Sequence, residues 1–493
     1  MINRYDIAII GAGPGGYQAA IRAAQYGAKV ALIEKEKLGG TCLNLGCIPT
    51  KALYSSAYLI EKIKEKAGEF GIEIEDFKLN FAKAVERKNR IVNELVEGIK
   101  ALQDAWKNDI YKGHGKILEG TIDEGFKISI QGKDNQVIEA SRVIIATGSA
   151  PSHLREFNID HKRILTTDDI LNPKFTTVPK RLLIIGAGVS GCEFANIFAT
   201  FGSKVTMLEL FPTIIATEEP MIIKQLLKQF QKQGIEVHTS QNVIKIENTG
   251  DGVKAITYSS NTSKNQIEKA EKFIFEADYC LVSNGRIKNS ANLGLKKLGI
   301  KTPRGAIEVN SKTLETEAKG IYAIGDVTGG LMLAHVASYE ATIAVSNALE
   351  TMGGFPVKKM ETDYKVVPAA IFTSPNISSV GFRRKSAKAL GKDIIAGQFS
   401  YQSLGKAKCS GDESGFLQIL CDKLSYEIIG ASCIGAESPE LIAEISLAMQ
   451  NGLSIHDISS TIHTHPSFSE MVFEASEAVL GKAIHKKGRP IHN

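Results

Sequence analysis

Asp6-Ile7-Ala8-Ile9-Ile10-Gly11-Ala12-Gly13-Pro14-Gly15-Gly16, residues 6–16, is the stretch that decides the fold. Asp6 to Ile10 is an apolar run of strand length that glycines stop abruptly, and Tyr17 to Tyr26 follows with helical spacing. A second strand, Lys29 to Ile33, ends at Glu34. Strand, glycine turn, helix, strand and acid in that order make a dinucleotide-binding unit. The glycines let backbone approach a pyrophosphate at a helix N-terminus, and the acid takes the ribose hydroxyls. A lone glycine motif is weak; the order of elements around it gives it meaning.

The pattern returns downstream as strand Leu182 to Ile185, turn Gly186-Ala187-Gly188-Val189-Ser190-Gly191, helix Cys192 to Phe201, strand Lys204 to Leu208, and Glu209. Gly11 and Glu34 are 23 positions apart (34 − 11), and so are Gly186 and Glu209 (209 − 186). The chain is therefore of the α/β class with two Rossmann-like units. A carboxylate at Glu209 accepts from a free 2′-hydroxyl and repels a 2′-phosphate, and no arginine stands nearby to receive one, so NAD is favoured over NADP. Glu193, just past the third glycine, is either a first-turn acid that complements the helix dipole or the partner of a lysine, for which Lys51 is the candidate.

Between the units lies Gly39-Gly-Thr-Cys-Leu-Asn-Leu-Gly-Cys-Ile-Pro-Thr-Lys51, with Cys42 and Cys47 separated by four residues. Zinc sites and thioredoxin-like motifs usually place their cysteines two apart, so a disulfide is the better reading. On a regular helix five positions turn through about 500°, and the side chains diverge by roughly 140°. Joining them needs a distorted first turn, which Gly39-Gly40, Gly46 and Pro49 can supply. Such a disulfide, beside a lysine at a helix N-terminus, is reactive, because dipole and cation both stabilise a thiolate. On spacing alone, two ordinary buried cysteines fit equally well. Position directly after a nucleotide unit favours redox chemistry.

The remaining sequence sets bounds. A chain of 493 residues holds about three domains, and 43% hydrophobic with 23% charged residues is globular composition. A net charge of +5 without a basic, aromatic-interleaved run speaks against nucleic-acid binding. Five of the seven cysteines (Cys192, Cys280, Cys409, Cys421, Cys433) are scattered singly, which suits a reducing cytoplasm. The first apolar run is too short to span a membrane, and no secretory or transit segment is expected; a mature organellar form stays open.

Lys51 to Lys66 and Phe81 to Trp106 read as packing helices, and Gly113 to Ala140 as short strands and turns. Val143 to Ala146 is a strand stopping at Thr147-Gly148, and Pro151 to Pro179 a crossing linker. Strands are expected at Ile235 to His238, Tyr279 to Val282 and Gly320 to Val327, with a hairpin-rich region up to Phe275. Asp326 then falls at the carboxyl edge of a parallel sheet, as a ligand residue or a plain turn. From about residue 357 the strands Ala369 to Phe372, Phe416 to Cys421 and Glu427 to Ile434 precede a helix with Ser438 as N-cap and Pro439 at N1. This part has no glycine fingerprint and suits a dimerisation module. Near its end, His463 and His465 lack a third metal ligand, so no metal is expected. Ser467 and Glu470 fit a capping box, and His465 with Glu470 fits a base and its orienter.

With these residues assembled, the chain resembles the dihydrolipoamide dehydrogenases, within the class I pyridine nucleotide-disulfide oxidoreductases. The resemblance covers essentially the whole chain and is most specific in Gly39 to Lys51 and in His463-Thr-His-Pro-Ser-Phe-Ser-Glu470. It implies an FAD-binding domain at 1–150, an NAD-binding domain at 151–285, a segment at 286–356 that completes the FAD domain, and an α+β dimerisation domain at 357–493. FAD would be held by Gly11, Gly13, Gly16, Glu34, Lys51, Thr147, Gly148, Asp326, Ala334 and His335, and NAD by Gly186, Gly188, Gly191, Glu209 and Gly285. The chemistry implied is oxidation of protein-bound dihydrolipoyl groups with reduction of NAD through a Cys42–Cys47 redox disulfide, Lys51 and Glu193 lying near the flavin. His465 and Glu470 would act on the disulfide of the other subunit of a homodimer. The partner would be a lipoyl-bearing acyltransferase of a 2-oxo acid dehydrogenase complex or the glycine-cleavage carrier. Three stretches depart from the family pattern: Ser283-Asn-Gly-Arg286, His335-Val-Ala-Ser-Tyr-Glu340, and Asn376 after Pro375. Glu209 argues against an NADPH-linked glutathione-type enzyme, the tail from Ile484 to Arg489 lacks the cysteines of a mercuric reductase, and a non-catalytic scaffold would have lost one of Cys42, Cys47, His465 or Glu470.

Overall fold

A computed structural model describes residues 2–262 and 269–487; the tail from Gly488 onward lies outside them. Strand Arg4–Ile10 pairs in parallel with Val30–Glu34 on one side and with Gln136–Ile145 on the other, which in turn pairs with Ile321–Ala323. Their centres are buried on both faces (Ile7, Ile9, Leu32 and Ile144 on one, Ala8, Ile10, Ile33 and Val143 on the other), which is why they read as unbroken apolar runs. Helices Pro14–Gln25 and Ala334–Glu350 pack together against this sheet. Residue 321 thus returns the chain to the sheet opened by residue 4.

Two expectations change here. Residues 113–140 are long strands: Asp109–Thr121, Gly125–Gly132 and Gln136–Ile145 form an antiparallel meander, and the last runs straight into the parallel sheet. Gly320 to Val327 is a three-residue strand followed by a 3-10 turn, Gly325–Thr328, that carries Asp326 beyond the strand end.

The second unit repeats the parallel design in the order Glu236–His238, Lys204–Leu208, Arg181–Ile185, Tyr279–Val282, Ile164–Thr166. Its edge strand and the helix Thr167–Leu171, closed by a Thr166–Asp169 capping box, lie in the segment expected to be a linker. Gln241–Asn248, Val253–Ser259 and Phe273–Ala277 form the hairpin-rich region as a separate antiparallel sheet.

The C-terminal unit is a five-stranded antiparallel sheet in the order Ala369–Ile371, Ile377–Gly381, Ile428–Ile434, Phe416–Asp422, Ile394–Ser400. Helices Ser438–Gln450 and Glu470–Val479 pack against it. Ser438 is the first helical residue and not the cap: Glu437, in the left-handed region at φ 54°, precedes it, and Pro439 takes the second position.

One helix joins the three units. Cys47–Lys66 contributes Leu53, Tyr54, Ala57 and Ile60 to a core that also contains Ile184, Phe194 and Phe198 of the second unit and Ile371, Ile377 and Phe416 of the third.

Candidate active site between the two nucleotide units

The cysteine stretch folds as two helices, Gly40–Leu45 and Cys47–Lys66, broken at Gly46 (φ −146°, ψ −116°). The break resolves the 140° divergence: Cys42 belongs to one helix and Cys47 opens the next. A Cβ on Gly46 would sit 2.9 Å from the Thr41 carbonyl, and one on Gly40 2.5 Å from Gly13 Cα. The redox stretch is therefore pressed against the first glycine turn, and Gly39 N–H also donates to Ala12 O at 2.8 Å.

Cys42 and Cys47 stand together as free thiols, the reduced form of a redox pair. The two are hydrogen bonded, and their acidities separate. The Cys42 hydrogen bond and the Lys51 cation lower Cys47 to about 7 against the opposing effect of burial. The same hydrogen bond together with burial raises Cys42. Cys47, first residue of a 20-residue helix, also receives the positive end of its dipole.

One turn along, Lys51 Nζ lies 2.9 Å from both carboxylate oxygens of Glu193, which also accepts from Phe372 N–H at 3.0 Å. Glu193 is buried (4% side-chain exposure) and Lys51 sits 4.7 Å above the Phe372 ring. The lysine-partner reading of Glu193 is the one the geometry takes up. Phe372, expected only as the end of a strand, carried no local signal of a place in the site.

The two acids expected at the riboses are placed alike. Glu34 accepts from Ala12 N–H (2.7 Å) and Glu36 N–H (2.7 Å); Glu209 accepts from Ala187 N–H (2.6 Å) and Phe211 N–H (2.8 Å). Each carboxylate braces its own glycine turn, and burial raises Glu34. A Cβ on Gly16 or Gly191 would meet the carbonyl oxygen of Gly11 at 1.8 Å or of Gly186 at 2.0 Å, whereas one on Gly13 or Gly188 meets no protein atom within 4 Å. Each turn thus keeps open space where a pyrophosphate must approach, and both fit a dinucleotide.

Around the first sheet's carboxyl edge, Thr147 Oγ1 donates to Asn289 O at 2.7 Å, and Gly148 has φ 69°. Asp326 accepts from Ser149 Oγ, itself bonded by Arg286 Nε at 2.7 Å. Ala334 opens its helix, with the His335 ring 2.9 Å from Pro368 O. Gly285 (φ 114°) lies just past the strand Tyr279–Val282 of the second unit, and its carbonyl accepts from Ser152 N–H at 3.0 Å. Two of the three departures have local explanations. Ser283 Oγ donates to the carbonyls of Ile185 and Gly186, tying the strand to the second turn. Glu340 is buried and accepts from Gly325 N–H (2.6 Å) and Tyr364 O–H (2.7 Å).

At the far end His465 Nδ1 lies 2.8 Å from Glu470 Oε1, and the ring is 77% exposed. Burial pulls the Glu470 carboxyl up, but the His465 hydrogen bond and the Ser467 N–H outweigh it and leave the group lowered. Only half of the capping box forms: Glu470 accepts from Ser467 N–H, while Ser467 Oγ turns to Thr464 O. His463 is buried and bonds Glu444 at 2.9 Å, a pairing that spacing did not announce. Among the described residues no cluster of three metal-ligating side chains occurs, and no helix is long and apolar enough to cross a membrane.

Paired glycine turns flanking a dithiol helix define a class, and comparison with known proteins agrees. The chain belongs to the pyridine nucleotide-disulphide oxidoreductase family, matching it over residues 5–341, and its dimerisation domain over 367–476. Within that family it is 40% identical to the dihydrolipoyl dehydrogenase of Bacillus subtilis over 491 residues, 98% of this chain and 100% of that one. It is 38% identical to the dihydrolipoyl dehydrogenase of Chlamydia trachomatis, covering 98% and 99%. Among solved structures it resembles LpdA of Mycobacterium tuberculosis (TM-score 0.86, 26% identity, 97% and 99% covered). It also resembles the HOCl-induced flavoprotein disulfide reductase RclA of Escherichia coli (TM-score 0.83, 28% identity, 97% and 99% covered).

Proposed function

We propose that this protein is an NAD-dependent, FAD-containing enzyme that oxidises dihydrolipoyl groups to lipoyl groups. The observation that carries the reading is the acidic Cys47 thiol beside Lys51–Glu193, packed between two dinucleotide turns of the kind that hold FAD and NAD.

The chemistry of the chain's own residues starts from the oxidised pair. His465 takes a proton from the substrate dithiol. The substrate thiolate attacks Cys42 Sγ, forms a mixed disulfide and breaks the Cys42–Cys47 bond, so that Cys47 leaves as a thiolate, the better leaving group of the two. The second substrate thiol loses its proton as its sulfur attacks the substrate sulfur bound to Cys42. That bond breaks, Cys42 Sγ leaves and takes up one of the two substrate protons, and His465 keeps the other. The cyclic disulfide thus departs from a Cys42 thiol, a Cys47 thiolate and a protonated His465. Lys51 stabilises negative charge at Cys47 throughout, and Glu193 keeps the lysine in place. Glu470 holds His465 by Nδ1 and leaves Nε2 to carry the proton. Gly11, Gly13, Gly16, Glu34 and the Thr147–Gly148 and Asp326–His335 segments would hold FAD, which would supply two-electron redox chemistry between the dithiol and an NAD held at the second turn.

The site is completed, on this reading, in a homodimer through the C-terminal unit, with His465 and Glu470 serving the dithiol of the other subunit. The exposure of the His465 ring supports that placement. The partner is a lipoyl-bearing protein, and the scattered cysteines suit the reducing cytoplasm. The division we propose is 1–150, 151–285, 286–356 and 357–493; the return of Ile321–Ala323 to the first sheet supports assigning 286–356 to the first unit, and Ser149–Pro151 pairs with Arg286–Lys288 where the limits fall.

The test is anaerobic titration of the FAD-loaded protein with dihydrolipoamide. Loss of flavin absorbance is expected, together with a long-wavelength band that is missing in Cys47→Ser. No flavin reduction by dihydrolipoamide, with rapid reduction by NADPH, would sink the assignment.

A further inference from the structure

Glu61 has no part in the chemistry above, yet it is one of the most heavily hydrogen-bonded side chains on the redox helix. Ten residues beyond Lys51, or about 15 Å along the axis, its Oε1 accepts from Asn196 Nδ2 (3.1 Å), Thr200 Oγ1 (2.9 Å) and Gln233 Nε2. The Ser374 side chain also donates to the carboxylate. Three of the four donors belong to the second nucleotide unit, and two stand on helix Val189–Thr200.

That helix starts at the second glycine turn and carries Glu193, the partner of Lys51. Lys64 Nζ adds a bond to Thr200 O at 3.2 Å. The two helices are therefore fastened at two separated places, Lys51–Glu193 and Glu61–Asn196/Thr200, with Leu53, Ala57 and Ile60 packed against Phe194 and Phe198 in the shared core. The hydrogen-bond donors to Glu61 are all neutral. Lys62, next in sequence, pairs with Asp412, and Glu65 one turn on adds like charge. Burial raises the Glu61 carboxyl accordingly. A half-buried carboxylate with neutral donors and no ion-pair partner among the described residues gains little stability over an apolar residue of similar volume, whereas it fixes geometry well.

We propose that Glu61 is a positioning residue: by anchoring the redox helix to helix Val189–Thr200 it sets the angle between them, and so holds Lys51, fixed to Glu193, beside Cys47. The inference rests on the reading of Lys51 and Cys47 given under Proposed function.

The test uses FAD-loaded enzyme reduced with excess dithiothreitol. Iodoacetamide labelling of Cys47 is followed by peptide mass across roughly pH 5 to 10, the range in which a thiol with partners such as Cys42, Lys51 and Glu193 ionises. Glu61→Leu should move the labelling midpoint up from about 7 by about one unit, slowing labelling at pH 7 about fivefold. The double variant Asn196→Leu/Thr200→Val, which removes donors from the opposite helix, should do the same. Glu61→Gln, which keeps an acceptor, should stay near the wild-type profile. Lys51→Ala is the control on the underlying reading, and its profile must shift upward; if it does not, the role of Lys51 fails on its own. An unshifted Cys47 profile in the double variant, alongside a shifted one in Lys51→Ala, overturns the anchoring role, even where Glu61→Leu does not fold.

Discussion

Substituting the glycines of the first turn one at a time separates folding from cofactor binding. On Gly16 an added Cβ would lie 1.8 Å from the Gly11 carbonyl oxygen, about half an ordinary contact distance, and the atom it meets is backbone. Relief needs a shift of about 1.5 Å at the point where the helix meets the strand, and overpacking of this kind costs about 3 kcal/mol or more. Gly16→Ala should therefore lower the melting temperature of the FAD-free protein by roughly 5–10 °C. Gly13 has φ −67° and ψ −175°, which any L-residue adopts, and its Cβ direction is clear of protein to 4 Å. Gly13→Ala should leave the FAD-free protein as stable as wild type, or more stable by about 0.5 kcal/mol through the unfolded chain. The same methyl, however, stands where a pyrophosphate approaches. FAD affinity should fall at least about tenfold, or about 1.4 kcal/mol. The assays are thermal unfolding of stripped protein and flavin titration followed by fluorescence. Wild-type FAD affinity in Gly13→Ala, or a wild-type melting temperature in Gly16→Ala, would refute the steric reasoning.

Gly188→Ala carries the same logic to the second turn, where φ −76° and ψ −167° are equally permissive. It should keep FAD and raise the KM for NAD about tenfold; loss of flavin would contradict it. Glu209→Gln removes the charge facing a 2′-phosphate and should cut the preference for NAD over NADP about tenfold, which steady-state kinetics with both nucleotides would check. Glu470→Gln weakens the hold on His465 and should lower kcat with dihydrolipoamide about 10²-fold, while NADH still bleaches the flavin. Lys88 is buried against Leu171 O at 2.6 Å, and burial lowers its ammonium to about 8 from 10.5. Between those values the unfolded chain binds more protons than the folded one, so this group makes stability rise with pH across the window. Lys88→Met should thus melt higher than wild type at pH 7, and the gap should close as pH rises through 8 toward 10.5. A gap independent of pH would refute this.

What could be read from the chain follows the physics of each segment. Parallel strands buried on both faces are apolar runs ended by glycine, so Arg4–Ile10 and Arg181–Ile185 were legible to within a few residues. Ile377–Gly381 was not. Its Ser378 and Ser379 are buried but satisfied by Ser438 O and Glu218, partners 60 and 161 positions away. Ile394–Ser400 contains Gly397, which breaks a strand pattern on paper; here a Cβ would lie 2.3 Å from Ala475 O, so the glycine admits a helix against the sheet. Arg142 hid the continuity of Gln136–Ile145, because its buried guanidinium bonds Ile122 O and Thr351, distant in sequence. In the site, the residue types were legible, and the Lys51–Glu193 and His465–Glu470 pairings stood as alternatives that distance in sequence could not decide, while His463–Glu444 and Phe372–Glu193 were not legible at all. Lys51 and Glu193 are 142 positions apart, and only the packing of two helices brings them within 2.9 Å.

The same packing explains why the cysteine stretch follows the first unit directly. Glu34 ends the strand that delivers the chain to the first glycine turn, and five residues later Gly39 N–H bonds Ala12 O within that turn. The distance from ribose acid to dithiol is thereby fixed by backbone, not by side chains. The thiolate needs three influences at one sulfur: a helix N-terminus, a hydrogen-bond donor and a cation. A single continuous helix would give Cys47 none of the first two, since an interior residue has no free dipole end and Cys42 would point about 140° away. The break at Gly46 supplies both together, and the residue four positions on supplies the third. Any side chain at 46 would press on Thr41 O and Cys42 Cα. Gly46→Ala should therefore disturb the Cys42–Cys47 hydrogen bond before it disturbs the fold. An alkylation midpoint for Cys47 that rises while the melting temperature holds would follow; one that stays near 7 would show that Lys51 and the helix N-terminus set the acidity without the Cys42 hydrogen bond.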